Sequence, residues 1–167
     1  MSLAVTLRDK GAPLPAAILS VSPWYDIEMK NETLDSNAET DALLSRPVLE
    51  WFREAWLGGT GVAWDDPRVN MLYADLTGLP PLKVYYGAYE TLVGEAIEFA
   101  QRAKDAGVDV SLHSLPEGQH SFIFGAASHY CFDHTLFGGI VFRPSAGRSA
   151  ALRRVQCCRV RRAHCYK

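Results

Sequence analysis

The chain has 167 residues, 48% of them hydrophobic and 22% charged, which suits one globular domain with a sizeable core. No apolar run approaches the ~18 residues of a membrane helix, and the opening MSLAVTLRDKG lacks the basic-then-apolar pattern of a secretion signal, so a cytoplasmic protein with no membrane span is expected. The net charge of -2 hides an asymmetry: from Arg143 onward there are eight basic residues and no acidic one, while residues 1–142 hold nine basic residues against all 19 acidic ones.

In chain order, residues 2–10 read as an amphipathic helix. Leu3, Val5 and Leu7 are apolar, Arg8-Asp9-Lys10 form its polar end, and Gly11 is its C-terminal cap. With no cap before Met1, it reads as a helix cut short. Residues 16–21 are short, apolar and stopped by Pro23, as a buried parallel strand is. Residues 26–44 are polar and irregular. Ser45 then stands as an N-cap, with Pro47 in the first turn of a helix over 46–57. Val48, Leu49, Phe52 and Trp56 recur at helical spacing, and Gly58-Gly59 end it. Residues 65–81 read as loop.

A second strand is expected at 82–86 and a helix at 92–106, with Ala96, Ile97, Ala100 and Ala103 on one face and Gly107 as its stop. A third strand is expected at 109–115. Strand, helix, strand, with ~20 residues between the strands, is a right-handed crossover in a parallel sheet. No internal repeat is visible.

Residues 126–167 break this grammar. They are rich in Arg and Cys and lack a clear amphipathic period, so a poorly ordered tail is expected beyond residue 125, with a brief strand at 139–142 and a short helix from Ala150. A frame shift near Ala126, a wrong gene boundary or a fusion would each produce such text. All four cysteines lie at 131, 157, 158 and 165. Cys157-Cys158 with His164-Cys165 matches no paired C-x-x-C spacing, so neither metal nor other cofactor is expected. The basic tail has little aromatic interleaving, and no nucleic-acid partner is expected.

In open α/β sheets, ligands and catalytic groups gather at the carboxyl ends of strands. Glu90 follows the second expected strand, and His120 follows the third in "PEGQHSF". A carboxylate can hold an imidazole in the right tautomer while the imidazole takes a proton from a serine hydroxyl. The plain alternative is a surface Glu and a loop His with no contact, and spacing leaves both open.

Residues 3–124 resemble the C-terminal half of the hormone-sensitive-lipase-like branch of the α/β-hydrolase superfamily, the fold-3 carboxylesterases. The stretches that carry the resemblance are "LRDKGAPLPAAILSVSPWYD", "DPRVNMLYADLTGLPPLKVYYGAYETL", "FAQRAKDAGVDVSL" and "GQHSF". It implies a partial α/β-hydrolase fold over residues 1–125, with parallel strands and flanking helices, lacking the N-terminal half of the sheet. It implies Glu90 of "Y-E-T-L" as the triad acid and His120 as its base, acting on a small-molecule substrate, a short-chain carboxylic ester. It leaves a sheet edge exposed to self-association.

The chain departs from the family's pattern in its tail, where Arg- and Cys-rich text replaces an amphipathic helix, and more seriously at the nucleophile. The nucleophile of a G-[DT]-S-A-G elbow and the H-G-G-G oxyanion loop occur nowhere in it. The nearest approach is "G-R-S-A-A" around Ser149, which lacks the last Gly and follows His120 instead of preceding the acid. Ser22 and Ser121 fall near the expected site but lack an elbow. Trp51 and Trp56 are candidates for an acyl pocket or for core packing. Asp26 is expected to cap a loop and not to serve as a second acid. Two functional readings follow: a carboxylesterase, or a catalytically inactive truncated remnant with at most a binding or interaction role.

Overall fold

The computed structural model describes residues 1–122. The expectations for the tail, including the boundary near residue 125, the cysteine cluster, the short strand and helix, and Ser149, lie outside the described residues. Three strands form one parallel sheet in the order β1 (Ile18–Val21), β2 (Leu82–Gly87) and β3 (Val110–Leu115). Ile18 pairs with Leu82 and Leu82 with Val110, so all three carboxyl ends reach the same edge. The helices are α1 (Ser2–Asp9), α2 (Thr33–Ser36), α3 (Arg46–Leu57) and α4 (Val93–Asp105).

The period-2 apolar positions of β2, Leu82 and Val84, meet the period-3.6 stripe of α4, Ala96, Phe99 and Ala103. Small alanines let the helix lie close on the sheet, and Phe99 fills the remaining space by stacking on Tyr25 with ring centroids 3.8 Å apart. Burying side chains of this size stabilises by about 1.5–3 kcal/mol each. The same core takes Ala4 of α1 and Met71, Leu72, Leu76 and Leu79 of the long loop. That loop has no regular structure, yet it is pinned. The Arg8 guanidinium donates to the carbonyls of Asp75 and Thr77, each at 2.7 Å. A smaller cluster of Met29, Leu34, Leu49 and Leu92 forms a second core where α2 and α3 meet the body.

Three details differ from the sequence reading, and a fourth, the burial of Glu95, lies outside it. Ile97 is 44% exposed, because the buried stripe of α4 runs through positions 96, 99, 100 and 103 and residue 97 falls to its side. Ser45 occupies the N-cap of α3 but its hydroxyl makes no capping bond. Residues 26–44 contain the short helix α2. Glu95, in the first turn of α4, is buried. Among the described residues, no helix is long and apolar enough to cross a membrane.

Candidate active site

The chain leaves β2 through a turn in which the Glu90 amide donates to the Gly87 carbonyl at 3.2 Å. The turn folds the Glu90 side chain back under the strand end, where it is fully buried. A buried carboxylate is costly unless donors surround it, and Glu90 has them. Its Oε1 accepts the Gly87 amide at 2.5 Å and the Ser22 hydroxyl at 2.7 Å. Its Oε2 lies 3.3 Å from Nδ1 of His120. An ionised carboxylate only accepts, so a hydrogen bond across this contact requires a proton on Nδ1, and in the neutral imidazole Nε2 is then the acceptor. At 3.3 Å the bond is longer than a relaxed N–H···O bond. Among the described residues, nothing hydrogen-bonds Nε2.

Three strand exits supply this cluster: Ser22 follows β1, Glu90 follows β2 and His120 follows β3. Backbone packing sets the distance between the last two. Gly118 lies against Gly87, and a Cβ on Gly118 would stand 2.8 Å from the Gly87 Cα. The Tyr89 amide donates to the Gly118 carbonyl at 3.0 Å across the same contact. Neither glycine could carry a side chain without pushing the acid turn away from the histidine turn.

The segment before α3 clasps both turns. Asn37 donates to the Glu90 carbonyl at 2.9 Å and Thr40 to the Tyr89 carbonyl at 3.1 Å. Asp41 accepts from the Thr91 amide at 2.8 Å. Gln119, beside His120, donates to the Thr40 carbonyl and accepts from the Ala42 amide, at 2.7 and 2.8 Å. Through this segment α3 is held over an apolar pocket of about 310 Å³ lined by Trp24, Leu44, Leu49, Phe52, Trp56, Leu92 and the ring of His120. Pockets that take small ligands start near this size, about 300 Å³.

The structure thus brings Glu90 and His120 together and puts Trp56 in the pocket wall. Trp51 is 65% exposed and packs edge-on against Phe52, outside the pocket. Asp26 caps its own loop, accepting the amides of Glu28 and Lys30 at 3.0 and 2.7 Å. Sequence reasoning gave Ser22 no role, since its hydroxyl meets a residue 68 positions away. It also passed over Gly87, Gly118 and Gln119. The glycine in "PEGQH" beside the candidate histidine was the available signal for a tight backbone crossing.

Residues 1–124 match the model of a family described as having the alpha/beta hydrolase fold. The chain is similar to an acetyl-hydrolase of Streptomyces hygroscopicus, 37% identical over 68% of this chain and 38% of that protein. It is similar to an esterase of Acinetobacter venetianus, 36% identical over 66% of this chain and 37% of that protein. Among solved structures, an esterase from the bacterial hormone-sensitive lipase family superposes with a TM-score of 0.72 at 38% identity, covering 75% of this chain and 42% of that one. The chain therefore spans about two fifths of the length of the relatives it matches. With its parallel sheet and this likeness over most of its length, the chain belongs to the alpha/beta hydrolase family, on the hormone-sensitive-lipase-like branch.

Proposed function

We propose that this chain carries the acid and base of a carboxylesterase acting on short-chain esters. Glu90 holds the imidazole of His120 by its Nδ1 proton and stabilises the cation that forms. Nε2 takes the proton from an attacking serine and returns it to the leaving alcohol. The observation that carries the reading is the contact between buried Glu90 and His120 at the rim of an apolar pocket of acyl size. The acetyl-hydrolase relative supports a short acyl group.

No G-x-S-x-G elbow occurs in the 167 residues. Ser22, the described serine at a strand exit, points its hydroxyl at Glu90 and not at the imidazole. The nucleophile and the oxyanion donors of the reaction therefore come from sequence other than this. Losing a single oxyanion donor costs about 10²–10³ in kcat, so the 167 residues alone hydrolyse esters no faster than an exposed histidine. β1 pairs only with β2 among the described residues, and its free side takes up another strand, from the remainder of a longer protein or from a second copy.

The test has two arms. The chain alone is treated with p-nitrophenyl acetate and a fluorophosphonate, and neither turnover nor labelling is expected. The chain is then joined to the N-terminal part of the Streptomyces hygroscopicus acetyl-hydrolase that it does not match. Labelling and turnover are expected to appear and to vanish in His120→Ala. A folded but inert fusion favours the remnant reading. Stoichiometric labelling of the chain alone, lost in His120→Ala, overturns the proposal and makes Ser149 the first serine to test. Size-exclusion chromatography with light scattering reports on self-association in the same samples.

A further inference from the structure

We infer that Ser22 is a positioning residue, whose hydroxyl sets the Glu90 carboxylate and the backbone beside His120 in register with each other. The inference rests on the acid–base reading of Glu90 and His120 and adds a third member to it.

The hydroxyl both donates and accepts. It donates to Glu90 Oε1 at 2.7 Å and accepts the amide of Ser121 at 2.9 Å. The first bond, together with the Gly87 amide, occupies Oε1 with two donors and turns Oε2 toward the imidazole. The second ties down the residue that follows His120. One oxygen atom thus holds Glu90 and the backbone next to His120. Ser22 is 6% exposed, so water does not substitute for either bond at low cost.

The backbone makes the role separable from a turn-forming one. Ser22 has φ 45 and Ser121 φ 56, both in the left-handed region that disfavours side chains. Glycine adopts that conformation without strain. If position 22 served only to turn the chain, glycine would serve as well or better. A serine there keeps the strain together with the hydroxyl.

The test uses the 167-residue chain and long-range proton–nitrogen NMR of its histidines, with His120 assigned by loss of its signals in His120→Asn. The intact chain is expected to show His120 as a single Nδ1–H tautomer. Ser22→Gly is expected to stay folded, with relief of the left-handed strain offsetting part of the cost of the two lost bonds, and to lose the single tautomer to the mixture of an unrestrained histidine. Ser22→Ala is expected to lose it in the same way. If either variant stays folded and keeps the single tautomer, Ser22 does not position the pair. If both unfold, Ser22 is structural and the inference is overturned. Glu90→Gln separates the two levels of the argument. If it abolishes the tautomer while Ser22→Gly does not, only the role of Ser22 fails. If the parent shows no fixed tautomer and Glu90→Gln changes nothing, the acid–base reading fails and the role of Ser22 falls with it.

Discussion

Two glutamates flank the start of α4, and both are out of water: Glu90 is 0% exposed and Glu95 is 2% exposed. Both bond to the segment that follows β1. Glu90 accepts the Ser22 hydroxyl, and Glu95 Oε1 accepts the amides of Tyr25 and Asp26. Burial pushes the Glu95 carboxyl up to about 8, against the pull of its two amide donors and with help from nearby Asp26 and Glu98. It is a structural acid, largely neutral at pH 7, that staples a turn to a helix. Glu90 gives one oxygen to the turn and offers the other to an imidazole at the mouth of an apolar pocket. Burial alone does not distinguish the two carboxyl groups. What the second oxygen faces does.

The strongest way to break this comparison is to neutralise each acid in turn in the chain fused to a nucleophile-bearing half. Glu90→Gln is expected to lower kcat by about 10⁴-fold, the cost of a misassigned imidazole tautomer, whereas Glu95→Gln leaves kcat unchanged. Equal losses on p-nitrophenyl acetate would erase the distinction.

Next in size is a pH effect that belongs to Glu95 alone. Its folded pKa of about 8 stands above the ordinary value of 4.5. Between those values the folded chain holds a proton that the unfolded chain has lost. The contribution of Glu95 is therefore full below about pH 4.5 and declines as pH rises toward 8, by at most about 1.4 kcal/mol per pH unit. Urea unfolding at several pH values is expected to show that decline. In Glu95→Gln, which keeps an acceptor oxygen for both amides, it should be flattened.

Gly87→Ala sharpens the other side of the comparison, because a Cβ there would press on the Gly118 backbone. A destabilisation of about 1–3 kcal/mol is expected, with a lowered urea midpoint. The His120 tautomer should loosen in the same variant, since the two turns are driven apart. The smallest effect is expected at the pocket wall. Phe52 is 45% exposed, so Phe52→Ala removes only part of a contact. The fused enzyme should lose about tenfold in kcat/KM on p-nitrophenyl butyrate and little on the acetate.

The strands and main helices were legible because they are written in local patterns. Short apolar runs ended by proline or glycine gave the strands, and 3.6-residue spacing gave α3 and α4. Glu90 and His120 were legible through their places after strands in stretches resembling known esterases. What was hidden depends on contacts between distant segments. Nothing near Ser22 in the sequence announces a carboxylate 68 positions on. Glu95 reads as an ordinary polar residue in a first helical turn, because the amides it bonds belong to Tyr25 and Asp26, 70 and 69 positions away. Spacing put Ile97 on one face with Ala96, Ala100 and Ala103, but the stripe that meets the sheet runs through Phe99 instead. The crossing of Gly87 and Gly118 needed both turns in view at once.

The glycine crossing also bears on the order in which the molecule comes together. Glu90 and His120 are separated by 30 positions, all within the β2–α4–β3 unit, while Ser22 and Ser121 are separated by 99. Closing the longer loop costs about 1 kcal/mol more in chain entropy, and it requires the β1 exit to find a surface that the shorter unit has already built. The expected sequence of events is therefore the acid and base first, with the serine locking onto them afterwards. In a pulse-labelled hydrogen-exchange experiment, the Tyr89 amide, which bonds across the crossing, should be protected before that of Ser121.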